Sequence, residues 1–263
     1  MSDFFSLFFH SFIAVILLSI AVATIGSIML LNRYSYTAAS IAHGSYGGIG
    51  LALYFGVPML LGTTLFALAL ALVLAAITYG NKERNDLLIG LIWAVGMSVG
   101  IIAVDASGGY GSDLMSFLFG DILMVPKSDL VYMALVDLLL IGFVALFYNH
   151  LLAIAYEEDF AKLRGINVKA LHYATLLLIA LTVVMSIRSV GLILVIALFS
   201  IPPFIAERFT HSLKAMIPLS GVLSFIFSLA GLLISYSFDI SATASIILVS
   251  AAAFLISMIR KRE

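Results

Sequence analysis

His43 lies inside an apolar run, Tyr36-Thr-Ala-Ala-Ser-Ile-Ala-His43-Gly-Ser-Tyr-Gly-Gly-Ile-Gly50, and Asp239 closes another, Ser235-Tyr-Ser-Phe-Asp239-Ile-Ser-Ala-Thr-Ala-Ser245. A neutral imidazole is the commonest transition-metal ligand, and a carboxylate suits hard or borderline dications. An ionisable group within an apolar helix is a functional candidate by default, so the two are candidate metal ligands. Each also has an ordinary reading. His43 serves as a packing histidine hydrogen-bonded to a neighbouring helix, and Asp239 as the cap of the final helix. Positions 36, 39, 43, 46, 47 and 50 fall on one face at helical spacing. Gly44 and Gly48 form a small-xxx-small pair that lets another helix approach closely.

Two polar stretches carry a second kind of chemistry, that of docking. In Ser200-Ile-Pro-Pro-Phe-Ile-Ala-Glu-Arg-Phe-Thr-His-Ser-Leu-Lys214, Pro202 and Pro203 are expected to interrupt a span. A short amphipathic segment then interleaves Glu207, Arg208 and His211 with Phe204, Phe209 and Leu213. Such a segment suits either a soluble partner or lipid headgroups. The longest polar loop, Tyr156 to Lys169, carries a Glu158–Lys162 pair at i,i+4 spacing and Gly165 as a helix stop. It fits a second docking element or a membrane-surface helix.

Several chemistries are excluded. The chain lacks a phosphate-binding G-x-x-x-x-G-K-[ST] loop and an H-E-x-x-H metal motif. It has no cysteine, hence no disulfide, thiolate site or cysteine nucleophile. No basic, aromatic-laced face suggests nucleic acid. Ser45 close to His43 gives Gly-Ser-Tyr-Gly the look of a serine hydrolase site, but side chains one or two residues apart on a helix do not face each other. A working pair needs convergence from separate elements.

The elements that must position these residues are membrane helices. The 263 residues are 63% hydrophobic and 10% charged, far outside the soluble norm. A span needs about 20 apolar residues, and nine runs qualify: 8–31, 37–55, 58–79, 87–104, 130–150, 171–187, 190–205, 215–236 and 241–259. Eight remain if 190–205 does not cross or the first run lies differently. The first run is expected to be a retained span, not a cleaved signal. Of the 13 Lys and Arg, 11 fall in alternate gaps: Arg33; Lys82 and Arg84; Lys162, Arg164 and Lys169; Arg208 and Lys214; Arg260, Lys261 and Arg262. The positive-inside rule places those gaps and the C-terminus in the cytoplasm. Lys127 and Arg188 are left outside, together with Asp3, Asp105, Asp113, Asp121, Asp129 and Asp239. An acidic outer mouth of this kind concentrates cations, although exposed loops also need solvating charge for its own sake. The half-length apolar stretch 114–123 reads as a re-entrant or interfacial helix. With no polar linker, residues 1–263 read as one all-α, polytopic membrane domain of eight or nine helices.

The chain resembles the membrane permeases of ATP-binding-cassette importers for zinc, manganese and iron. Arg33 to Gly50 is similar to that family's "RRMS…GD…H…G" stretch, and Leu118-Phe-Gly-Asp-Ile-Leu123 to its "LFGDIL". Phe160-Ala-Lys-Leu-Arg-Gly-Ile166 is similar to "LAKALGI", and Val190 to Pro203 to "VGxLLVxALLxxPAAxA". The resemblance implies an importer subunit that moves a divalent metal, zinc first, with manganese or iron as alternatives. It implies no enzyme activity in the chain itself and no resident cofactor, the metal being cargo. His43 and Asp239 match the family's metal-path positions, while its second-span Asp is Ala39 here and its D-x-P-x-G reads Asp239-Ile-Ser-Ala-Thr243. Pro202, Pro203, Glu207, Arg208 and His211 match its docking element for a cytoplasmic ATPase. The implied partners are that ATPase, a second permease copy and an extracytoplasmic metal-binding protein, all at the inner (cytoplasmic) membrane. An ion-coupled secondary carrier is the alternative, since broken helices and membrane carboxylates occur there as well.

Overall fold

The structure is a computed structural model that describes residues 9–80, 85–107, 120 and 122–259. Lys82, Arg84, Asp3, Asp113, Asp121, residues 114–119 and the basic C-terminal cluster lie outside these. Every regular element among the described residues is helical. Lipid offers no partner to an open backbone N–H or C=O, so an apolar chain at membrane depth closes its hydrogen bonds within each helix.

In chain order the elements are α1 (Phe9–Ala21), a π-helical turn (Val22–Gly26), α2 (Ser27–Leu31), α3 (Ser35–Gly44), α4 (Tyr46–Phe55), α5 (Met59–Thr78) and α6 (Asn85–Ala106). A 3-10 turn (Ile122–Met124) follows, then α7 (Lys127–Tyr156), α8 (Glu158–Leu163), α9 (Val168–Val190), α10 (Leu192–Phe209), α11 (Leu213–Phe238) and α12 (Ala242–Ile259). Among the described residues, eight stretches are long and apolar enough to cross a membrane, with α1, the π turn and α2 counting as one. The remaining expected span, 37–55, is instead the pair α3 and α4. Each has ten residues and is about 15 Å long, half a hydrocarbon core. They meet at Ser45, where the Ser45 hydroxyl donates to the Ala42 carbonyl at 2.7 Å and the Gly48 N–H to the Ser45 carbonyl at 2.9 Å. These i→i−3 bonds tighten the turn, while the Ser45 backbone itself stays in the helical region at φ −61 and ψ −15.

The helices group into two compact units, each discontinuous in sequence. Unit 1 combines Met1–Asn32, Ser116–Leu146 and Met185–Glu263. Unit 2 combines Arg33–Met115 and Phe147–Val184.

In unit 1, α1 and α2 lie along α11. Ser220 donates to the Met216 carbonyl at 2.8 Å and therefore accepts from Ser27 at 3.2 Å, while Phe12 meets Phe225 edge-on at 6.0 Å. Within the π turn the Thr24 hydroxyl back-bonds to the Ile20 carbonyl at 2.8 Å. The expected interruption at Pro202 and Pro203 does not occur, because α10 runs through both to Phe209. Each proline forfeits a ladder bond, and Pro203 leaves the Phe199 carbonyl without its usual donor. That carbonyl faces Gly26, where an added Cβ would lie 3.5 Å from it and 3.3 Å from the Pro203 ring. Packing against the π turn thus holds α10 together where its own bonds are missing.

Unit 2 is built on glycine. A Cβ on Gly96 of α6 would sit 2.7 Å from the Gly44 Cα, and one on Gly48 2.7 Å from the Thr63 Cα of α5. A Cβ on Gly50 would run into the Gly100 carbonyl. The small-residue pair read from the sequence therefore brings α3 and α4 into backbone contact with two neighbouring helices.

α8 carries the expected features: Lys162 pairs with Glu158 at 2.8 Å and Asp159 at 3.3 Å. Its carboxylate partners raise the Lys162 pKa. Gly165 at φ +76 ends the helix, its N–H bonding the Lys162 carbonyl and that of Ile166 the Ala161 carbonyl. This is a Schellman closure.

Candidate metal-path and docking residues

α3 owes its position to unit 2. Ser40 donates to the Ile89 carbonyl of α6 at 2.8 Å. At its start, Tyr34 donates its hydroxyl to His172 Nδ1 at 2.8 Å. Thr78 has one hydroxyl hydrogen and gives it to the Leu74 carbonyl at 2.7 Å, so it accepts from His172 Nε2–H at 3.0 Å. This fixes the imidazole tautomer and ties the start of α3, the end of α5 and the start of α9. Burial, and then the Glu158 charge, push the Tyr34 pKa up to about 12.

His43 lies two turns further along α3. Its ring stacks on Trp93 of α6, with centroids 4.1 Å apart and planes 14° apart. Trp93 is itself held by its indole N–H donating to Met97 Sδ at 3.0 Å. The imidazole is thus pinned flat, yet its Nδ1 is buried with no hydrogen-bond partner among the described residues. A packing histidine would have one. Tyr36, Ala39 and His43 form the less buried stripe of α3, the intervening residues being buried. Ala39, one turn before His43, offers no donor, and no carboxylate accompanies the ring from that position.

Asp239 belongs to unit 1. It ends α11 in the left-handed region, φ 53 and ψ 46, with its N–H on the Ser235 carbonyl. The Ser235 hydroxyl in turn donates to the Ile240 carbonyl at 2.5 Å. Asp239 does not cap the next helix: Ser241 takes that place, its Oγ accepting from the Ala244 N–H at 3.4 Å. The carboxylate is exposed and lines a cavity of about 650 Å³ with Leu123, Leu232, Ser235, Tyr236, Ser237 and Ile240.

The acidic residues that the charge pattern assigns to the outer face divide. Asp105 and Asp239 are exposed, whereas Asp129 is buried. Arg188 grips Asp129 through Nε–Oδ2 at 2.9 Å and Nη2–Oδ1 at 3.1 Å, clamping α7 to α9. Neither is a loop charge open to a passing cation.

Of the expected docking residues, Glu207 and His211 are exposed and Arg208 is half-buried, but Pro202 and Pro203 are buried. The segment to Phe209 is the last part of α10, not a separate helix, and Thr210–Ser212 links it to α11.

Ser45 gives no support to a hydrolase, being fully buried with its hydroxyl engaged by Ala42. Among the described residues no group of three His, Cys, Asp or Glu is placed to hold a metal. Three residues escaped the sequence reading: Trp93, His172 and Asp137. A charged residue inside the apolar run 130–150 was the signal for Asp137. Nothing local marked Trp93 as the partner of His43.

Eight described stretches long and apolar enough to cross a membrane, with ligand-type side chains in or beside them, describe a polytopic membrane protein. The chain belongs to the ABC 3 transport family, whose model matches residues 4–261. This bears out the resemblance read from its motifs. It is 31% identical to the manganese transport system membrane protein of Listeria monocytogenes over 89% of this chain and 84% of that one. It is 26% identical to the high-affinity zinc uptake system membrane protein of Haemophilus influenzae over 98% and 99%. The structure of PsaBC from Streptococcus pneumoniae in complex with a Fab matches with a TM-score of 0.83 at 31% identity, covering 95% of this chain and 90% of that one.

Proposed function

We propose that this chain is the membrane permease of an ABC importer that passes a divalent transition metal into the cytoplasm, powered by a separate ATPase. The observation that carries the reading is His43, an imidazole pinned by Trp93 with a buried, unpartnered Nδ1 in a broken membrane segment. Family membership and relatives named for manganese and zinc supply the cargo class. Zinc is the first cargo to test. Ala39 withholds a carboxylate from α3 and leaves nitrogen prominent in the donor set, which suits zinc better than manganese.

In this reading Asp239, exposed at its own cavity, is a separate metal contact of the path on the outer side, where a binding protein delivers metal. Glu207, Arg208 and His211 present the ATPase dock, while Pro202 and Pro203 shape the end of α10 behind it. The basic residues of the alternate gaps place the C-terminus in the cytoplasm, and a second copy completes the passage. The test is uptake of radiolabelled zinc and manganese by cells expressing the chain with its ATPase. His43→Ala and Asp239→Asn should abolish or strongly reduce uptake at unchanged membrane abundance. Normal uptake by both variants would remove these residues from the mechanism.

A further inference from the structure

Asp137 has no part in the site described so far. It lies ten residues beyond Lys127 on α7, about 15 Å along the axis and thus about half of a hydrocarbon core. It is 3% exposed, and neither carboxylate oxygen has a hydrogen-bond partner among the described residues. An ionised carboxylate left unpaired at such depth costs several kcal/mol. The nearest basic group of the same seam, Arg188, is committed to Asp129, two turns away and about 12 Å along the helix.

The face that Asp137 shares offers neutral donors instead. Met133, one turn earlier and fully buried, has its sulfur 3.3 Å from the hydroxyl of Ser189 on α9, whose single hydrogen is shared with the Met185 carbonyl, also at 3.3 Å. A buried acid with no hydrogen-bond partner among the described residues, on a helix face that also carries a thioether with a hydroxyl against it, is poor packing and a serviceable cation site. We propose that Asp137 is a metal-binding station in unit 1, its carboxylate taking the transported dication, with Met133 Sδ and Ser189 Oγ as neutral donors on the same seam. This rests on the metal-permease reading. Between passages a proton occupies the carboxylate, and the arriving dication displaces it, so that binding releases one proton to solvent. One charge with neutral sulfur and oxygen donors holds a dication loosely, as a step in a passage requires. It also provides a membrane carboxylate in a chain whose α3 lacks one at Ala39.

The test uses the full chain reconstituted in lipid, with Mn²⁺ and Zn²⁺ as probes. Infrared difference spectra should show the carbonyl stretch of a protonated carboxyl disappearing when metal is added, and no such band in Asp137→Asn. In equilibrium dialysis the Asp137→Asn chain should bind either metal at least tenfold more weakly, with Asp137→Glu recovering part of the loss. A carboxyl band indifferent to metal, or equal binding by wild type and Asp137→Asn, would overturn the assignment. The wild-type spectrum decides even if the variants fail to fold. If the band responds to metal but cells show no metal uptake that depends on the chain, the permease reading fails and the station stands. If His43→Ala blocks uptake while the Asp137 band ignores metal, only the station fails.

Discussion

Replacing Arg188 by Met should destabilise the protein far more than replacing both members of its pair. The clamp is bidentate, at 2.9 and 3.1 Å, with the Asp129 side chain 6% exposed and that of Arg188 29% exposed. Arg188→Met leaves a buried carboxylate without a partner, which typically costs about 3–5 kcal/mol. The partial exposure of Arg188 lets water reach the vacated site, so the low end applies, about 3 kcal/mol, or roughly a hundredfold in the folding equilibrium. Asp129→Asn alone keeps a hydrogen-bonding amide beside the guanidinium and should cost less. The double variant removes the stranded charge altogether and should recover about 2 kcal/mol of the single loss, a coupling that a double-mutant cycle reads directly. The assay is recovery of monodisperse protein after graded heating in a fixed detergent. Equal loss in Arg188→Met and in the double variant would refute the reasoning, since the penalty would then be lost packing of the arginine stem and not an uncompensated charge.

Gly96→Ala should prevent recovery of folded protein, because its Cβ would press on the Gly44 Cα at 2.7 Å. Gly142→Ala, mid-helix with nothing within 4 Å of the new Cβ, should be neutral or stabilising by about 0.5–1 kcal/mol in the same heating assay. At position 239 the left-handed backbone favours Gly over Ala, so Asp239→Gly should melt higher than Asp239→Ala while both lose the carboxylate. Tyr34 gives an alkaline signature. Its pKa is raised from 10.0 to about 12 in the folded protein, so the native state favours the protonated phenol. The stabilisation that this supplies is complete below about pH 10 and is lost as pH rises toward about 12. Phenolate absorbance should show one tyrosine titrating late, and Tyr34→Phe should abolish both that late step and its share of the alkaline melting.

The spans, α8 with its Gly165 stop, and the close approach at Gly44 and Gly48 were legible because each depends on neighbours in sequence: hydropathy runs, i,i+4 pairs, a glycine spacing. The break at Ser45 was not, since Gly44-Ser-Tyr-Gly fits a continuous helix as well as a kinked one. The turn sits where Gly62, Gly96 and Gly100, residues far away in the chain, come up against α3 and α4. Pro202 and Pro203 misled for the converse reason: local rules end the helix, but tertiary packing at Gly26 keeps it intact. Asp129 and Arg188 looked like loop charges because a pair 59 positions apart leaves no local trace. His43 and Asp239 were legible as residue types in unusual places. The Trp93 stack, the open Nδ1 and the displacement of Asp239 from the capping role by Ser241 required three dimensions.

The discontinuity of unit 1 sets a timetable for making the protein. The span formed by α1, the π turn and α2 is made before α10 and α11, yet the residues against which it rests, Phe225 for α1, Phe199 with Pro203 for the π turn and Ser220 for α2, lie in the last third of the chain. During synthesis the first span therefore waits in lipid, its buried serines without their native neighbours, while some 190 residues are inserted after it (193 separate Ser27 from Ser220). Truncation just before α10 should leave this span inserted but undocked, with α2 open to lipid-phase crosslinking at Ser27. Extending the chain past Phe225 should close that access in one step.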